Sequence, residues 1–144
     1  MRLTYQADYA LRLLMFLALR RDERSSIREA AERYGVSENH LMKVTQRLAA
    51  LGFVDAQRGR GGGIKLARTP ASISLGAVVR AMEPDFALVE CMGEDNTCPI
   101  STACALRGIL DEARGAFLDV LDRYSLADVM ARPRKLQALL GMQV

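Results

Sequence analysis

The stretch SIREAAERYGVSENHLMKVTQRLAALG, residues 26–52, runs into FVDAQRGRGGGIKLA, residues 53–67, and together they decide the fold. Ser26 precedes Glu29 by three residues, a capping-box spacing in which the hydroxyl accepts from the Glu29 amide and the carboxylate reaches back to the Ser26 amide. A short helix follows with Ile27, Ala30, Ala31 and Tyr34 inward, and Gly35 ends it. Ser37 is placed to cap a second helix that continues to Leu51 and stops at Gly52. Its inner stripe is Leu41, Val44, Leu48 and Leu51. Asn39, Lys43 and Arg47 stand one turn apart on another face, with His40 and Gln46 beside them. Two short helices joined by a glycine turn, the second with a basic polar face, make a helix-turn-helix. From Phe53 the period changes from helical to nearly alternating. Strands at about 53–57 and 63–67 are expected to enclose a glycine-rich tip that holds Arg58 and Arg60.

Working outward, Leu11, Leu14, Met15, Ala18 and Leu19 recur at helical spacing, which predicts a first helix over about 4–19 whose other face carries Thr4, Asp8 and Arg12. Thr69-Pro70 breaks the chain, and Ser74 caps a short helix to about Met82. After Pro84 comes a cysteine loop, then a long helix from about Ser101 to Tyr124 with Leu106, Leu110, Ala113, Phe117, Val120 and Tyr124 on one stripe. Such a stripe needs a packing partner, and a second copy of the chain is the natural one. Ser125 to Asp128 begins a last short helix, and the pattern after Pro133 is weak. The expected architecture is mainly α with a small β-hairpin wing: a winged helix-turn-helix over 1–83, a loop over 84–105, a dimerisation helix with a short following helix over 101–130, and a tail over 131–144.

At 144 residues and 50% hydrophobic composition the chain can bury one core but not two large ones. No run approaches a membrane span, because Arg12 interrupts Leu11 to Leu19 and Arg20-Arg21 stops it; neither does that segment read as a signal peptide. A cytoplasmic location is expected, with no membrane partner. Residues 1–70 carry 13 Lys+Arg against 7 Asp+Glu, and residues 71–144 carry 7 against 10. The basic half is the candidate for a polyanion.

A basic helix face is usually only a solvated face. Here a capped helix, a glycine turn, a second helix and an Arg-Gly wing occur in order within about forty residues, which points to double-stranded DNA. Asn39, His40, Lys43 and Arg47 are the candidates for the major groove or its phosphates, and Arg58 and Arg60 for the adjoining minor groove. Arg12 and the capping residues Ser26 and Ser37 complete the expected DNA-facing set. A dimer would present two recognition helices to one DNA face, so the expected operator is an inverted repeat.

The three cysteines are Cys91, Cys98 and Cys104, spaced Cys-x6-Cys-x5-Cys. Any one would suit a core, but Cys91 and Cys98 flank Met-Gly-Glu-Asp-Asn-Thr, a polar segment that has no reason to bury two thiols. With Ser101 as cap, Cys104 falls in the first helical turn, where free amides and the helix dipole favour a thiolate. Three such thiolates suit three corners of an iron-sulfur cube, and zinc remains open on ligand type. No Cys-His pair marks a thiol enzyme.

The opening MRLTYQADYALR, the segment VSENHLMKV, the wing RGRGGG, and CPI with the following ACAL resemble the NsrR nitric-oxide-sensing repressors, among the IscR-type winged-helix iron-sulfur regulators. The resemblance covers roughly residues 1–130. It implies a homodimer in which Cys91, Cys98 and Cys104 bind a [4Fe-4S] cluster that an aspartate of the other subunit completes; Asp8 matches that aspartate. Read on the residues alone, Asp8 is a helix-surface carboxylate paired with Arg12 at i,i+4. An IscR-like [2Fe-2S] regulator is the alternative within the family. It would use a histidine shortly after the third cysteine, where this chain has Arg107 and no histidine beyond His40.

The resemblance thus implies a repressor that loses its operator when nitric oxide attacks the cluster, and no enzymatic activity. Two readings from other classes stand beside it: a thiol or metal redox enzyme, and a cluster-free DNA-binding module with structural cysteines. Neither accounts for the wing, the cysteine loop and Asp8 together.

Overall fold

The computed structural model describes residues 2–143; Met1 and Val144, the outermost residues of the N-terminal domain and of the tail, lie outside the described residues. The elements are α1 (Tyr5–Arg20), α2 (Ile27–Tyr34), α3 (Glu38–Ala50), β1 (Val54–Gln57), β2 (Gly63–Leu66), α4 (Leu75–Met82), α5 (Ala105–Asp122), α6 (Leu126–Val129) and α7 (Pro133–Leu139). Short 3-10 turns lie at Pro70–Ser72 and Glu90–Met92.

The core is built around α1. Its Ala7, Ala10, Leu13, Leu14, Phe16 and Leu17 are fully buried, because the helix is apolar on most of its circumference and is wrapped by the others. The leucines and the phenylalanine contribute about 1.5–3 kcal/mol each when fully buried. Leu41, Val44 and Leu48 of α3 and Val78 and Met82 of α4 meet them in the same core. Leu51 does not complete the α3 stripe as expected: it is the C-cap residue and 39% exposed, because the chain turns away at Gly52, where φ is +74°.

Hydroxyl caps start the helices where the sequence places them. The side chains of Thr4, Ser26, Ser37 and Ser74 accept from the amides of Ala7, Glu29, His40 and Ala77. Only half of the Ser26 box forms. The Glu29 carboxylate turns to Arg20 at 2.8 Å instead of the Ser26 amide, since a guanidinium is the stronger partner. The full reciprocal box appears at Ser125 and Asp128.

The wing is an antiparallel hairpin in register Val54↔Leu66 to Gln57↔Gly63. A third piece of strand joins it: Ser25 bridges to Ile64 with N to O distances of 3.0 and 2.8 Å. Arg24 seals that edge by donating to the carbonyls of Asp55 and Gly63 and to the Asp55 carboxylate at 2.5 Å. Gly63 sits at φ +126°, and a β-carbon there would stand 2.7 Å from the Ser25 carbonyl oxygen, so it has no place.

Beyond the wing, the expected cap for the long helix is corrected. α5 begins at Ala105 with Cys104 itself in the N-cap position, and the Cys104 side chain makes no capping bond. The Ser101 hydroxyl is engaged instead by the Asn96 amide at 3.0 Å, which keeps Ser101 in the loop. None of the described residues of α5 is buried; Leu106 and Ile109 are 58% and 62% exposed. After Pro133 the chain forms α7, whose following Met142 enters the core while Arg33 of α2 donates to the Leu140 and Gly141 carbonyls.

Candidate DNA interface and cysteine loop

The α2–Gly35–α3 turn fixes the polar face of the recognition helix. Gly35 is left-handed at φ +63°, which reverses the chain in one residue and lets Ser37 cap α3. With Leu41, Val44 and Leu48 anchored inward, Asn39, His40, Lys43 and Arg47 are all exposed on α3. Arg58 and Arg60 are exposed at the wing tip, on a hairpin held from behind by Ser25 and Arg24. Ser26 and Ser37 are exposed as well, each spending its hydroxyl oxygen as a cap acceptor while the hydroxyl proton stays available to a phosphate.

Arg12 stands elsewhere. It is half-buried and shares a cavity of about 220 Å3 with Met15, Tyr34, Leu136, Leu139 and Leu140, close to α7. Burial raises the Tyr34 phenol above its ordinary pKa, and the Arg12 guanidinium offsets part of that rise. Arg12 also lies 5.8 Å from the Tyr9 ring centroid and holds Asp8, with Nε to Oδ1 at 2.9 Å and Nη2 to Oδ2 at 2.7 Å. Asp8 is thus turned toward its own helix within the single chain. Arg47 is not free either, since its Nη1 donates to Gln6 Oε1 at 3.1 Å, a contact to α1 that helical patterning gave no sign of.

The cysteine loop is braced by its own polar side chains. Glu90 Oε1 accepts from the Thr97 amide at 2.9 Å and from the Thr97 hydroxyl at 2.6 Å, which ties the residue before Cys91 to the residue before Cys98. These hydrogen bonds hold the Glu90 carboxyl below its ordinary pKa. Asn96 adds an Asx turn, accepting from the Cys98 amide at 3.0 Å. All three thiols are unpaired and half-buried. Among the described residues no three His, Cys, Asp or Glu side chains stand together in a metal-holding array. Cys104 shares a cavity of about 360 Å3 with Met92, Arg107, Gly108, Asp111 and Arg114 at the start of α5.

Residues 3–132 match the model of the Rrf2 family, described as iron-dependent transcriptional regulators. The chain belongs to the Rrf2 family. This Rrf2 regulator is 48% identical to the HTH-type transcriptional regulator NsrR of Bacillus subtilis (strain 168) over 145 residues, covering 99% of each chain. It is 46% identical to the protein of the same name from Halalkalibacterium halodurans, again over 99% of each chain. Among solved structures it resembles CymR, the global cysteine regulator of B. subtilis, with TM-score 0.71 and 27% identity over 90% of this chain and 95% of that one. It superposes on T. potens IscR with TM-score 0.75 and 24% identity, covering 95% and 91%, a likeness of fold. The Rrf2 regulator is accordingly a winged-helix transcriptional regulator and not an enzyme. No helix among the described residues is long and apolar enough to cross a membrane.

Proposed function

We propose that this regulator is a homodimeric repressor that binds an inverted-repeat operator while it carries an iron-sulfur cluster, and that nitric oxide is the signal that releases it. One observation carries the reading: a chain 48% identical to an NsrR regulator presents three unpaired thiols on one braced loop and an exposed polar helix for DNA. The donor set fits a cluster. Three soft sulfur ligands on a loop without strand or long helix can close on iron, and no disulfide competes for them. Cys91, Cys98 and Cys104 would hold a [4Fe-4S] cluster, with the partner subunit's Asp8 as the hard fourth ligand. When bound, the cluster supplies iron that nitric oxide attacks.

The chain's own residues supply the rest. Arg12 grips both oxygens of the Asp8 carboxylate and can steer it as a unit. The exposed apolar side chains Leu106, Ile109 and Val120 of α5, with Tyr124 just after its end, form a surface of the kind that a second copy covers, and a second copy is also what brings Asp8 from another chain. Glu90 and Asn96 shorten the conformational search of the loop, which lowers the entropy cost of ordering it around a ligand.

Anaerobic purification followed by native mass spectrometry tests this reading. A brown dimer with four iron and four sulfide per subunit is expected; a colourless protein loaded with zinc would sink it.

A further inference from the structure

Among the described residues a single side-chain hydrogen bond joins α1 to the recognition helix, Arg47 Nη1 to Gln6 Oε1 at 3.1 Å. Beside it, at the surface, a cavity of about 360 Å3 opens between the first turns of α1 and α3, lined by Thr4, Tyr5, Gln6, Tyr9, His40, Lys43 and Val44. The contact thus lies at the exposed edge of the α1–α3 packing, beside that opening. The first turn of α1 is anchored from the other side. Glu83 Oε1 accepts from the Thr4 amide at 2.7 Å and from the Thr4 hydroxyl at 2.9 Å. Glu83 is the C-cap residue of α4 and the last residue before Pro84 and the segment that carries the cysteines. A continuous physical line thus runs from the root of the cysteine segment, through Glu83 and Thr4, along one helical turn to Gln6 and Arg47.

Gln6 and Asp8 share that turn and, two residues apart, point about 200° from each other around the helix. Gln6 faces the recognition helix while Asp8 faces Arg12. A neutral amide suits the position. It takes one of the guanidinium's five donors without cancelling its charge, and leaves the others for a phosphate.

We propose that Gln6 is a positioning residue for DNA binding, which orients the Arg47 guanidinium and makes that orientation depend on the α1 turn that carries Asp8. The inference rests on the reading above, in which Arg47 meets operator phosphate and the partner subunit's Asp8 ligates the cluster. A shift of the first turn that satisfies Asp8 moves Gln6 with it, and Arg47 follows.

The test is a double-mutant cycle of Q6E, R47A and Q6E/R47A. The probe is a duplex selected from a random pool by the cluster-bearing wild-type dimer, and affinity is measured across a salt series with and without the cluster. In Q6E the new carboxylate pairs with Arg47 and takes it off phosphate. The slope of log affinity against log salt should then fall by about 0.9 per lost phosphate contact in each subunit, as in R47A. Adding Q6E to R47A should change nothing more. Q6A, which keeps the charge, should hold the slope and weaken binding roughly threefold. The Q6E–R47A coupling should differ at least threefold between the two forms. An equal loss from Q6E in the R47A background, or one coupling value in both forms, overturns the inference and leaves the proposed function standing. A wild-type chain that selects no sequence removes the proposed function, and this inference with it.

Discussion

The Asp8 carboxylate is held in a two-point grip by Arg12, one turn along the same face of α1, at 2.9 and 2.7 Å. The two side chains are 43% and 38% exposed, enough for solvent to screen the pair, which adds only about 0.3–0.5 kcal/mol to the helix. Its use lies in orientation. Asp8→Ala should therefore leave the thermal midpoint of the cluster-free chain nearly unchanged, yet make the cluster bleach faster in air or alter its rate of reaction with nitric oxide. Stopped-flow absorption of the two proteins side by side decides it, and matching traces would return Asp8 to a surface role.

Replacing Cys91, Cys98 and Cys104 together by Ser should abolish iron binding without unfolding the chain. None of the three belongs to the core, which gathers around α1. The expected result is an unchanged cluster-free melting curve with no iron; a large drop in the midpoint would make the thiols structural.

Arg24 shows how a basic residue of the N-terminal half can serve the fold instead of DNA. Removing its head in Arg24→Met leaves the Asp55 carboxylate and two carbonyls without their donor. Bonds to charged groups are worth about 1.5–3 kcal/mol, so chemical denaturation should show a loss of that order. Gly63→Ala should cost at least as much, since its β-carbon would meet the Ser25 carbonyl in a backbone region closed to alanine. Both variants should weaken DNA binding by loosening the wing.

Asp128 gives a pH dependence with a fixed sign. Its carboxyl is held below the ordinary value of 3.8 by the Ser125 amide, and further by the Ser125 hydroxyl. A carboxyl depressed in the folded state contributes stability that is fully present above its unfolded pKa and is lost as pH falls through the folded one. The stability gap between wild type and Asp128→Asn should stay constant from neutral pH to about 5 and close below about 4. Urea titrations across that range measure it, and a gap that widens on acidification would contradict the capping role.

The helix-turn-helix was legible because its signals are local. Ser26, Ser37 and Ser74 cap helices that begin where short-range spacing says they should. The start of α5 was not legible, because Ser101 has the right chemistry for a cap and is claimed by Asn96 instead. α7 escaped for a different reason: Pro133 opens it, but what holds it are Arg33 and the core around α1, both more than a hundred residues away. The site divides in the same way. The thiols announce themselves by their loop, whereas Gln6 gives no sign in the sequence that it touches Arg47.

The central claim is that one event governs both cluster and operator. Anaerobic titration of the cluster-bearing dimer with nitric oxide, following cluster absorption and operator binding in the same sample, tests it most directly. Parallel loss of both signals is the predicted result; operator binding that persists after the cluster absorption has gone would contradict the account.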